Sequence, residues 1–285
     1  MNRQGRLILL LWLAWLAAPL CAQTPLPVYV LAEDGPFRDS FIQALDTATM
    51  PPITRVADPQ QAELLIAVGD QAFRRAQKLD KPLLGVYVSR SAVALAQRKR
   101  CQCQGIWAGV ALNDQLAMLE TMMPLARRVG VIVGPKSAWT PGMVQDYQGR
   151  LGLTLLPVSS VEELGDRLRE RLAEFDALLL PVDGQLFGPG TAKLVLLTSY
   201  RLRRPVFGPD RAYVQAGSAA SLYASGSDLV AETLVHLQFF HSSKRLRRSG
   251  FVHTPTVAVN EHVASSFDMV FHDIDSLREA LEVTP

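Results

Sequence analysis

Few of the reactive side chains in this 285-residue chain have the neighbours that bond-breaking chemistry needs. Its five histidines, His236, His241, His253, His262 and His272, all fall late, and none stands at metal-ligand spacing from another. His236 and His241 are five apart, do not share a helical face and read as ordinary surface histidines. Cys101 and Cys103 read as a loop with an incidental strained disulfide, or as a pair of thiols, with no histidine near enough to complete a metal set. There is no Gly-x-Ser-x-Gly elbow, no Walker phosphate loop and no Gly-x-Gly-x-x-Gly after the first strand. No cofactor is implied and an enzyme is not expected. What remains is charge placed at the ends of apolar runs. Asp183 directly follows residues 177–182 (ALLLPV), and an acid ending a fully apolar strand needs a partner, for which an amino group would serve. Arg90 stands just beyond residues 82–88 (PLLGVYV) and suits a carboxylate.

The apolar pattern supplies the elements that must hold these charges. Residues 177–182 have the unbroken run of a strand buried on both faces of a parallel sheet. Gly188-Pro189-Gly190 leads into a helix carrying Leu194, Val195, Leu197 and Leu202, which Arg203-Arg204-Pro205 ends. Val206-Phe207 follows as a short strand. Two buried strands joined by a helix make a right-handed crossover, and ligands sit in the loops after such strands. The same alternation runs through the first half, with strands at 27–32, 53–56, 63–68, 82–88 and from 106 to 110. Phe37, Phe41 and Leu45 mark one intervening helix, and Ala72, Phe73, Ala76 and Leu79 another that Asp70 can cap. Asn113-Asp114 reads as the cap of a helix over 115–123.

After Pro124 the alternation starts again. Strands are expected at 129–133 and 153–158 around a helix over 140–151, and Ser159 and Ser160 precede Glu162 and Glu163 as a double capping box. The tail offers a helix over 228–241, a basic polar link over 242–250, a strand at 257–260 and a closing helix at 275–281. Two rounds of strand and helix predict an α/β protein of two lobes with parallel sheets and a break near 122–127. Residues 1–22 read as a cleavable export signal, with Arg3 and Arg6 before the apolar residues 7–18. Leu20 directly before Cys21 argues against lipid anchoring there. Without that segment 27 basic residues face 27 acidic ones, so a nucleic-acid partner is not expected.

Four segments carry a resemblance to a known family. They are AELLIAVGDQA at 62–72, GIWAGVALNDQLAMLETMMPLARRVGVIVGP at 105–135, the pair DALLLPVDGQL at 176–186 and RRPVFGPDRAYVQAGSAASLYASGSDLVAET at 203–233, and VAVNEHVASSF at 257–267. Together they resemble the ABC transporter substrate-binding proteins of the tryptophan- and tyrosine-binding-like family, which have the type I periplasmic binding protein fold. The resemblance implies two Rossmann-like lobes, one of residues 23–123 plus about 226–250 and one of 124–225 plus about 251–285. Chain crossings would lie near 123–124, 223–226 and 250–255, and a hinge would close the cleft on a small ligand.

It further implies a periplasmic monomer that hands a small molecule, such as an amino acid or a related compound, to an ABC permease. The same fold also serves a sensor or adaptor that acts through another membrane protein partner with a degenerate cleft. Ligand contacts would come from loops at the carboxyl ends of strands. In the first lobe these are Asp34, Phe37, Gly69, Asp70, Ser89 and Arg90, and in the second Lys136, Trp139, Asp183, Asp210 and Tyr223. Asp34 and Asp70 read equally as caps, Asp210 as a turn residue and Trp139 as packing at a helix base. The loops Glu33-Asp34-Gly35-Pro36, Ser89-Arg90-Ser91 and Gly184-Gln185 depart from the Ser-, Thr- and Asn-rich loops of that family.

Overall fold

Apolar runs covered on both faces become the inner strands of two separate sheets. The computed structural model describes residues 24–282, and the expected export signal lies outside them. The first sheet is wholly parallel, in the order β2-β1-β3-β4-β5. Its strands are β1 (Leu26–Leu31), β2 (Ile53–Arg55), β3 (Leu64–Val68), β4 (Leu83–Val88) and β5 (Cys103–Trp107). Helices α1 (Pro36–Asp46), α2 (Gly69–Ala76) and α3 (Arg90–Arg98) connect them, and α4 (Leu112–Met122) follows β5. In β3 the residues Leu64 to Ala67 are fully buried, as a central parallel strand requires.

The second sheet has the order β11-β10-β9-β8-β6-β7 and is parallel except for β11, which runs antiparallel to β10. Its elements are β6 (Arg128–Val133), α5 (Pro141–Gln145), β7 (Gly152–Pro157), α6 (Val161–Arg171), β8 (Ala177–Leu179), α7 (Pro189–Arg201), β9 (Val206–Phe207), α8 (Arg211–Ala216) and β10 (Ala220–Tyr223). Then come α9 (Gly226–Ser243), β11 (Thr256–Val259), α10 (Glu261–Ser266) and α11 (Ile274–Glu282). One apolar cluster runs through both lobes, from Ile66 and Leu84 through Val110, Leu116 and Trp139 to Val131 and Phe207. The outer faces are packed by two smaller clusters, one per lobe.

The chain passes between the sheets where packing rather than proline dictates. Helix α4 lies against β10 and α11, so it belongs with the second sheet. The first crossing therefore falls at residues 108–111, one helix earlier than the expected point near 123–124. Gly109 makes the turn in a left-handed conformation (φ 87°), and the apolar face of Leu112, Leu116 and Leu119 is buried beyond it. Helix α9 packs on α1, β4 and β5, and β11 leads back to the second sheet. Ser225 and Asp228 form a reciprocal capping box at the start of α9. Among the described residues no helix is long and apolar enough to cross a membrane.

Several local expectations shift. Strand β5 starts at Cys103 rather than 106, and the helix expected over 140–151 is the short α5, capped by Thr140. Asn113 and Asp114 do not cap α4, which begins at Leu112 behind Ala111 with no side-chain cap. The cysteines are free thiols: Cys103 points into the outer core of the first lobe and donates weakly to the Cys101 carbonyl. Burial pushes the pKa of both thiols up. His236 is not at the surface; it is 4 % exposed and packed beside the equally buried Glu232.

Candidate functional site: the cleft between the lobes

The loops that follow β3, β4 and β5 in the first sheet and β6, β8 and β9 in the second face each other across a cleft of about 820 Å³. Six of the residues expected to contact a ligand line it: Asp70, Ser89 and Arg90 from the first lobe, and Lys136, Asp183 and Asp210 from the second. A second cavity of about 1010 Å³ lies on the other side of Arg90, toward β5 and β7, and Trp139 is in its wall. The remaining candidates line neither. Asp34 is exposed and paired with Arg38, and the Phe37 ring stacks on Phe41 at 6.0 Å. Gly69 opens α2 with φ 82°, and Tyr223 ends β10 opposite Thr256.

The acids of the cleft are largely occupied. Asp183 is 2 % exposed; its Oδ1 accepts from the Gln185 and Leu186 N–H groups at 2.9 and 3.2 Å, and its Oδ2 from the Ser137 hydroxyl at 3.2 Å. The partner that a strand-ending acid requires is thus its own loop. Asp70 is no cap, since α2 begins one residue earlier behind Val68. Its carboxylate instead accepts the N–H and the hydroxyl of Ser89, each at 2.7 Å, which ties the loops after β3 and β4 together. Ser89 in turn caps α3 through the Ala92 N–H. Asp210 lines the cleft and caps α8, with Oδ1 accepting from the Tyr213 N–H at 2.9 Å, while Oδ2 accepts no hydrogen bond among the described residues. Trp139 is a strut: its indole N–H donates to the Val110 carbonyl at 2.8 Å and fixes the first crossing to the second lobe.

Arg74 pairs with Asp70 at 3.9 Å, but two cations of the cleft are not so occupied. Lys136 is exposed at the cleft rim, and Arg90 is half-buried; neither forms an ion pair among the described residues. The Arg90 guanidinium lies 4.3 Å over the Trp107 ring and places Nη1 3.2 Å from the Met143 Sδ of the opposite lobe. A thioether and an indole face leave most of its five N–H donors unused. Burial lowers its pKa without neutralising it. The Trp107 ring is held in place by an edge contact to Phe251 at 5.1 Å.

Two groups of the site escape sequence reasoning. Tyr87 is a non-glycine residue at φ 54°, where the β4–β5 register slips between Val86 and Val88, and the slip turns its side chain into the cleft. Burial, and then the charge of Asp210 across the cleft, raise its pKa. Trp107 reads from sequence as one residue of a strand; only the pairing of β5 with Gly250 shows that it ends the edge strand beside Arg90. No cluster of three or more metal-ligating side chains occurs among the described residues.

Two parallel α/β lobes joined by several crossings and facing each other across a cleft define the type I periplasmic binding protein fold. Solved structures of that class superpose on nearly the whole chain. An ABC domain in complex with L-Trp from Streptococcus pneumonia has a TM-score of 0.60 at 13 % identity, covering 90 % of this chain and 98 % of its own. The ligand-free, open form of a substrate binding protein with adhesive properties from Clostridium difficile has a TM-score of 0.62 at 15 % identity, covering 87 % and 96 %. A periplasmic ribose ABC transporter protein from Conexibacter woesei has a TM-score of 0.50 at 14 % identity, covering 90 % and 98 %. No protein-family model and no curated protein matches the sequence.

Proposed function

We propose that the protein is an exported solute-binding protein that holds a small carboxylate-bearing molecule, an amino acid or a related compound, between its lobes for an ABC permease. The observation that carries this reading is Arg90. A half-buried guanidinium with no carboxylate partner, at the meeting of the two lobes, is an incomplete ion pair that an anionic ligand completes. Lys136 adds a second positive charge on the opposite wall, and Asp210 Oδ2, which accepts no hydrogen bond among the described residues, suits an ammonium group. Structural relatives that hold L-Trp or serve ribose transport support the class. The chemistry of the ligand rests on this chain's own charges.

The test is a thermal-shift screen of the mature protein against amino acids, small organic acids, sugars and nucleosides, followed by calorimetric titration of the hits. A ligand at a hundred times its Kd adds about 2.7 kcal/mol of stability. Hits are expected among the carboxylates, and Arg90→Ala is expected to weaken them about a hundredfold or more. Hits confined to uncharged sugars, or carboxylate binding indifferent to Arg90→Ala, would remove the reading. The occupied carboxylates of Asp70 and Asp183 favour a second reading, a sensor or adaptor with a degenerate cleft acting through a membrane partner. A blank screen with a well-folded protein selects it.

A further inference from the structure

The larger cavity lies on the far side of Arg90 from the cleft onto which the loops after β3, β8 and β9 converge, and the two share Arg90 and Ser91 in their walls. It lies between the outer face of α3, the end of β5 and the third crossing on one side, and the loops after β6 and β7 on the other. We propose that this side cavity is a second binding site, which takes an amphipathic anion: an apolar or aromatic body with a carboxylate, sulfonate or phosphate head.

Charge comes first. Two guanidinium groups line the cavity, Arg90 and Arg248, and neither forms an ion pair among the described residues. Its one acid, Glu163, is already engaged, accepting the N–H and hydroxyl of Ser159 at 2.9 and 2.7 Å with Arg167 at 3.7 Å. The cavity is therefore left net positive. Rigidity comes second. The backbone that carries Arg248 is pinned to β5, because Ser249 donates from N and Oγ to Gln104 Oε1 at 2.9 and 2.6 Å and accepts from the Gly105 N–H at 2.9 Å. Surface comes third. Pro135, Pro141 and Pro157 present rings with no rotamers to lose, beside Trp107 and the buried Trp139. A charged rim over a stiff apolar wall is a preformed complement to an amphipathic anion.

Occupancy reads out directly, since Trp107 and Trp139, the two tryptophans left once residues 1–22 are removed, both line the cavity. The probe is 1-anilinonaphthalene-8-sulfonate, titrated against the mature protein while its own emission and the quenching of indole fluorescence are followed. Saturable binding of one probe per chain is expected, weakened about tenfold by Arg248→Ala and unchanged by Lys136→Ala at the rim of the main cleft. Arg248 is exposed, so its variant should keep the parent melting temperature. Binding that does not saturate, that ignores Arg248→Ala, or that is lost with Lys136→Ala instead overturns the proposal. Arg90 lines both cavities, so the two sites are told apart by Arg248, which lines only the side cavity, and Lys136, which lines only the main cleft. A carboxylate hit weakened by Lys136→Ala and not by Arg248→Ala belongs to the main cleft.

Discussion

Asp183 shows how one side chain can satisfy a sequence argument for a reason the sequence does not contain. Its carboxylate needs partners, and it has them in the N–H groups of its own turn and in Ser137, 46 residues away in the chain. Gly134 makes the fit possible: a Cβ there would sit 2.6 Å from Asp183 Oδ2. Asp183→Ala would strand two backbone N–H donors in a buried loop, so it should cost about 3 kcal/mol of stability. Urea unfolding should record this as a lower midpoint with an unchanged slope. Full stability combined with lost solute binding would instead make Asp183 a ligand group. The apolar run showed that Asp183 lies past a strand but overshot its end, since β8 stops at Leu179. How the acid is spent was not legible, because Ser137 comes from another loop and the turn of Gln185 and Leu186 is set by folding. Tyr87 was hidden for a related reason, since PLLGVYV reads as one unbroken apolar strand and the slip that turns the tyrosine is made by pairing with β5.

At the scale of elements, the helix start at Ser160 was readable, those at Asp70 and Asn113-Asp114 were not, and crossings were the least readable of all. Ser160 accepts from the Glu163 N–H, as the Ser-Ser-x-Glu pattern implies, because capping is decided within four residues. The side on which α4 packs is decided by β10 and α11, far along the chain, and the sequence placed that helix with the wrong sheet. The start of α9 combines both kinds of information. Asp228 Oδ2 accepts from the Ser225 N–H at 2.8 Å, from the Thr256 N–H at 3.1 Å and from the Thr256 hydroxyl at 2.7 Å. One oxygen thus ties the second crossing, the helix and the first residue of β11. Asp228→Ala should lose more than a cap, about 2 kcal/mol, and should speed amide exchange at Thr256 as well as in the first turn of α9. Faster exchange confined to the helix would show that the strap to β11 contributes nothing.

For the whole molecule, acid is the condition that should loosen the join between the lobes. Glu232 of α9 accepts from Arg247 Nη1 at 3.2 Å and from His253 Nδ1 at 2.7 Å, which fixes the third crossing to the first lobe. Arg247 Nη2 also sits 3.1 Å from His253 Nε2. Guanidinium only donates, so Nε2 is the acceptor and Nδ1 carries the proton. Behind this cluster lies His236, with Nε2 3.6 Å from Glu232 Oε1 and Nδ1 without a partner. Burial outweighs the Glu232 charge, and Arg247 and His253 add to it, so the pKa of His236 is held down at about 4. Between that value and about 6.5 the unfolded chain binds the proton and the folded chain does not. The contribution of His236 is therefore complete above pH 6.5 and is lost as pH falls toward 4, to a total of roughly 3 kcal/mol. Urea midpoints measured from pH 7.5 to 4.5 should fall more steeply for the parent than for His236→Gln, whose amide does not titrate. Parallel pH profiles would remove His236 from the account and leave the acid response to the surface carboxylates.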